Sequence, residues 1–217
     1  QSRLRRFFTR SETFALPNKK ASYELAHIVF YLSDYGQRAP QLPTTAIRSL
    51  SFAGILAYLD QDMDLLAEIC AALRFAGAAV PALWEDAVQS AARACRIVPQ
   101  QGGGPVDGYH AYLVTGWAAH MSGGAAFCQP VPQGAVAIRY TPPNGALQAL
   151  SAALFEMGET RQAQWSLMRG RVMRALDPEA QEILTGAEAS CPQFEAFFAR
   201  FARAPIPAVA SMVQRRH

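Results

Sequence analysis

Residues 23–36 read YELAHIVFYLSDYG, and residues 109–121 read YHAYLVTGWAAHM. The first stretch sets His27, Tyr31 and Asp34 along one side of a helical pattern, and the second adds His110. Imidazole is the side chain that most readily takes up and gives back a proton near neutral pH, so these are the candidates for acid–base work. At about 100° per residue, Leu25, Ile28, Val29 and Leu32 share one sector, while Tyr23, His27, Phe30, Tyr31 and Asp34 share the opposite one. Three aromatic residues on the second face predict that protein or ligand covers it, not bulk water. The expected catalytic set is His27 as acid or base, Asp34 and Tyr31 as orienting groups and His110 as a second polar contact. His27 and Asp34 stand two turns apart, about 10 Å of rise, so Tyr31 would have to bridge them. The competing account has Asp34 capping the following QRAP loop and His27 satisfied in the core.

If the two histidine-bearing helices are neighbours, His27 and His110 converge, and Asp34 or Glu68 would complete a set of two histidines and one carboxylate. No H-x-x-x-H or H-E-x-x-H spacing occurs, so local sequence supports no metal and identifies no cofactor. Nucleophilic catalysis is equally unsupported: there is no G-x-S-x-G, and no cysteine adjoins a histidine. The PQQGGGPVDG run at 99–108 lacks the Lys-Ser/Thr ending of a phosphate loop and reads as a connector.

Helices must position these residues. The periodicity predicts a short basic helix at SRLRRFF, then one from Ala21 to Tyr35 that stops at Gly36, a position suited to a left-handed C-cap. Thr44 or Thr45 caps the next, which runs to Leu59. Asp60, Asp62 and Asp64 favour the start of another that ends at Gly77, and a further helix carries Leu83, Trp84, Val88 and Cys95. Residues 125–145 hold four prolines and one extended candidate, Ala135 to Tyr140, and read as a long loop that would serve as a lid. Helices resume with ALQALSAALFEMG. An Arg-bearing helix follows, with Arg161, Arg169, Arg171 and Arg174, then an Asp177-Pro178 start and a stripe of Phe194, Phe197, Phe198 and Phe201. The fold class is all-α: stacked antiparallel helical hairpins, as an open α/α superhelix or irregular bundle, with one long Pro/Gly-rich loop. The chain reads as a single helical domain over 1–217, with a sub-division at 1–98 and 109–217 around the 99–108 connector as the alternative.

With 217 residues, half of them apolar and 17% charged, the chain can bury a core without staples. A net charge of +3 is too small to argue for nucleic acid, and the arginines at either end read as solvated tails. The irregular spacing of Cys70, Cys95, Cys128 and Cys191 points to free thiols and a cytoplasmic location. No apolar run reaches the ~18 residues of a membrane span.

YELAHIVFYLSDYG resembles a Y-x-L-T-H-x-x-F-Y-x-T-D-F-G pattern of an uncharacterised family of bacterial helical proteins, and DMDLLAEICAALRFAG and YHAYLV resemble later segments of it. Ala26, Ser33 and Tyr35 depart from the pattern, which covers about residues 20–120. The resemblance implies an all-helical fold and a place in a specialised biosynthetic pathway, and brings no activity with it. The functional expectation is a pocket between the His27 and His110 helices that binds a small organic or peptide substrate. The alternative is a non-catalytic adaptor that docks a peptide or enzyme through its C-terminal Phe and Arg helices.

Overall fold

The structure is a computed structural model that describes residues 2–100 and 108–204. Residues 101–107 of the 99–108 connector and the C-terminal arginines at 215 and 216 lie outside these residues, and Pro99 at its start belongs to a strand. Ten α-helices appear among the described residues: α1 (Ser2–Phe8), α2 (Lys19–Leu32), α3 (Thr44–Leu59), α4 (Met63–Phe75), α5 (Ala82–Ala94), α6 (Tyr109–Met121), α7 (Leu147–Glu156), α8 (Trp165–Ala175), α9 (Pro178–Ser190) and α10 (Phe194–Phe201). The remaining regular structure is slight: two short 3₁₀ turns, Ser11–Ala15 and Gly158–Thr160, and two strands, β1 (Arg96–Pro99) and β2 (Val136–Arg139). The strands pair antiparallel, with Arg96 opposite Arg139 and Pro99 opposite Val136. The fold is therefore all-helical apart from one small ribbon. β2 falls inside the extended candidate at 135–140. β1 had no sequence signal of its own, because it is four residues long and its two half-buried residues, Ile97 and Val98, are adjacent and so give no alternation.

Three helix starts follow local capping chemistry, whereas α3 begins at Thr44 behind Pro43 with no side-chain cap, so neither Thr44 nor Thr45 is its cap. Side-chain caps open α2, α4 and α9: Asn18 accepts from the Ala21 amide at 3.1 Å, Asp62 from Leu65 at 3.2 Å and Asp177 from Ala180 at 2.8 Å. Asp177 is followed by a proline at the first helical position.

The middle of the molecule is α3 and α4. α3 buries Leu50, Phe52, Ile55, Leu56 and Leu59 on several sides, as an interior helix must. α4 packs against α2, α3, α5 and α6, and its Leu65, Leu66, Ile69 and Leu73 are buried among them. The four phenylalanines of α10 are also buried, in edge and stacked contact with Trp165, Phe52 and one another. That stripe is core. Its side chains are therefore spent on packing within the chain.

α2 ends at Leu32, three residues before the expected stop. The Tyr35 amide donates back to the Phe30 carbonyl at 2.8 Å and the Asp34 amide to Tyr31 at 3.2 Å, the hydrogen-bond pair of a Schellman termination. Asp34 and Tyr35 adopt left-handed φ of 51° and 52°. Asp34 thus belongs to the helix cap. Gly36 follows at φ 89°, and a Cβ there would meet the Phe75 ring at 2.5 Å, so glycine is required by both conformation and space.

Candidate functional site

α4 supplies the carboxylates. Asp64 and Glu68 stand one turn apart on it and so project from one face. α2 presents Tyr23 and His27, again one turn apart, and α6 presents His110. Because α2 and α6 both pack on α4, three i, i+4 or terminal positions separated widely in sequence meet at one place.

The contacts fall into two linked sets. His110 Nδ1 lies 2.7 Å from Asp64 Oδ2, and the Tyr23 hydroxyl donates to Asp64 Oδ1 at 2.9 Å. Asp64 is held from both sides. His27 Nε2 stands 3.2 Å from Glu68 Oε2, and His110 Nε2 stands 3.9 Å from Glu68 Oε1. Glu68 is only 2% exposed. Its Oε2 is within ion-pair distance of His27 but outside hydrogen-bond geometry, so this buried oxygen accepts no hydrogen bond. The side chains of His27 and His110 are by contrast 47% and 51% exposed. The arrangement is a buried carboxylate beneath two half-exposed imidazoles.

Burial dominates the proton affinity of Glu68 and pushes it up; the His27 imidazole pulls it down, Asp64 adds to the rise, and His110 opposes it. His110 is raised, chiefly by its hydrogen bond to Asp64. Tyr23 is held protonated by burial and by the surrounding carboxylates, which keeps it a donor to Asp64. Beside this cluster Lys19 bridges Asp60 and Asp62 at 2.9 Å each.

The four residues singled out in the sequence fare differently. His27 and His110 converge on Glu68, the second of the two carboxylates weighed for that role. Asp34 does not join them: it is exposed, in the left-handed cap of α2. Tyr31 is 64% exposed, its ring 6.5 Å from His27 and 6.0 Å from Tyr35. It bridges nothing to Asp34, because the chain reverses before Asp34 can reach the same face. Phe30, on the same face, is covered by protein, packed against Phe75 and Trp117. Asp64 and the Tyr23 hydroxyl were missed. The signal that marks them is the pair of i, i+4 spacings, Tyr23 with His27 and Asp64 with Glu68, on helices that must pack.

The long loop is docked. Phe127 packs on Tyr112 with ring centroids 5.4 Å apart, Gln129 accepts from the Ile97 amide at 3.3 Å, and the Ala146 amide donates to Leu59 at 2.7 Å. On the C-terminal helices, Arg169 pairs with Glu188 at 2.8 Å and Arg171 donates to the Thr160 carbonyl at 3.1 Å and hydroxyl at 2.7 Å. Both are engaged within the chain. No helix among the described residues is long and apolar enough to cross a membrane.

The chain belongs to a family described as a domain of unknown function, DUF6902, whose match spans residues 1–204. No curated protein and no solved structure matches it.

Proposed function

We propose that this DUF6902 protein binds a small organic or peptide ligand in the cleft between α2, α4 and α6 and acts on it by acid–base chemistry, with His27 as the group that moves the proton. Glu68 orients His27, and the Tyr23–Asp64–His110 set is the fixed wall opposite. The observation that carries this reading is Glu68 itself. A carboxylate removed from water with one oxygen lacking a donor is a destabilising arrangement, of a kind that persists where a ligand or reaction uses it. Half-open imidazoles on either side give a ligand access to it. The cytoplasm is the setting we propose, since all four cysteines are free thiols and Cys128 is exposed.

The test is a ligand-observed NMR screen of small carboxylic acids, amines and amides against the full chain in the presence of EDTA. Hits are expected to shift the imidazole C–H resonances of His27 and His110 and to lose binding in Glu68→Gln. Hits that leave both imidazoles unmoved, or that bind Glu68→Gln as well as the parent, would overturn the assignment.

A further inference from the structure

We propose that Asp64, Glu68 and His110 form a binding site for a divalent first-row transition-metal ion, with His27 outside the coordination set. The inference rests on the reading of this cleft as a ligand site and names the cofactor it takes. Each of the three residues brings one ligand atom to within 4.8 Å of the other two. Donors about 2.0–2.2 Å from a common ion stand at most about 4.4 Å apart, so a small rotation of the half-exposed His110 side chain closes the set.

The independent observation is again the Glu68 oxygen. Asp64 and His110 satisfy each other, and a pair of that kind is ordinary on a protein surface. Glu68 differs: its side chain is 97% buried, and its Oε2, 3.2 Å from His27 Nε2, makes no hydrogen bond. A cation supplies what that oxygen lacks. One imidazole with two carboxylates favours zinc, iron or manganese over magnesium or calcium, which prefer all-oxygen sets. Binding would displace the proton now shared by His110 Nδ1 and Asp64 Oδ2.

The second shell is already in place. Tyr23 donates to the other Asp64 oxygen at 2.9 Å, the kind of support that fixes a ligand carboxylate. Three protein ligands leave open positions for water or substrate, and His27 lies next to them. The same histidine then serves as the proton-moving group without being a ligand.

The test uses the full chain stripped with EDTA and dialysed, then titrated with Co²⁺ by visible absorption and with Zn²⁺ by calorimetry. One equivalent should bind saturably. His110→Ala and Asp64→Asn should each weaken binding by about tenfold or more, while His27→Gln stays within about threefold of the parent. His120→Ala and Cys128→Ser control for exposed donors elsewhere and should bind as the parent does. Thermal melts establish which variants are folded, and should His110→Ala fail to fold, Asp64→Asn carries the comparison. Absence of saturable binding, or binding that survives in His110→Ala and Asp64→Asn, overturns the proposal. The NMR screen runs in EDTA, so it reports on the organic site alone: an ion bound with no imidazole-shifting hits sinks the acid–base reading, and the converse sinks the metal site.

Discussion

His27 on α2 and Glu68 on α4 stand 3.2 Å apart between Nε2 and Oε2, the imidazole half in water and the carboxylate almost wholly out of it. Everything distinctive about the cleft follows from that asymmetry. A carboxylate in such a position weakens the fold to which it belongs, and its replacement is the most direct probe of why it is there.

Glu68→Gln removes the buried charge and keeps the shape. We expect the variant to be more stable than the parent by about 1 kcal/mol, because relief of desolvation exceeds the lost attraction to His27 and His110. Thermal melting in EDTA at pH 7 measures it. A variant less stable than the parent would mean that Glu68 is held for folding and not for a ligand.

Tyr23→Phe deletes the hydroxyl that donates to Asp64 at 2.9 Å. A hydrogen bond to a charged acceptor is worth about 1.5–3 kcal/mol, and Tyr23 is only half-buried, so the expected loss is near about 1.5 kcal/mol. Urea unfolding gives the value. The Asp64–His110 contact should also loosen, seen as a downward move of the His110 imidazole titration in NMR, whereas a hydroxyl that merely fills space would leave that titration where it is.

Two glycines separate rigid from yielding contacts. At Gly54 a Cβ would lie 2.3 Å from the Trp84 ring, and Trp84 is fully buried with its Nε1 donating to Ser190 Oγ at 2.9 Å. Gly54→Ala should destabilise by about 1–3 kcal/mol despite the gain in helix propensity. At Gly116 the clash is with the exposed ring of Phe127 at 2.5 Å, which can swing outward. Gly116→Ala should therefore fall within about 1 kcal/mol of the parent. Equal losses at both sites by chemical denaturation would contradict the difference in rigidity.

Phe197→Ala tests whether the C-terminal Phe stripe is core. Phe197 is fully buried and packs on Phe52 at 5.9 Å between ring centroids, so a loss of about 3–5 kcal/mol is expected. A stable, soluble variant that had lost only a binding partner would favour the adaptor account.

The helices were legible because their punctuation is local. Asn18, Asp62 and Asp177 cap from their own side chains, and Asp177-Pro178 sets both cap and first turn within two residues. The Phe194 to Phe201 stripe also reads directly, since any helix with that spacing buries it. The inward turn of His27 and His110 toward Glu68 was accessible as a conditional statement, given that α2, α4 and α6 meet. The places where the reading failed are those where a few residues at an end decide direction. Extending α2 to Tyr35 put Asp34 on the His27 face; the Schellman bonds from Tyr35 and Asp34 end the helix early and send that carboxylate to solvent. Nothing in the types of Asp34 or Tyr31 distinguishes a site residue from a cap.

By itself, then, the sequence determined an all-helical chain, some of its helix caps and the residues with imidazole and carboxylate chemistry, because propensity, capping and apolar periodicity act over a few residues. Only the tertiary structure decided which of those groups share a cleft. That outcome depends on α2 and α6 both crossing α4, so that residues 41 to 46 positions apart stand within 4 Å, a long-range packing event with no local signature. Burial finished the selection: of the carboxylates near the two histidines, Glu68 is the one the fold removes from water, and that removal gives it a chemistry its sequence position could not announce.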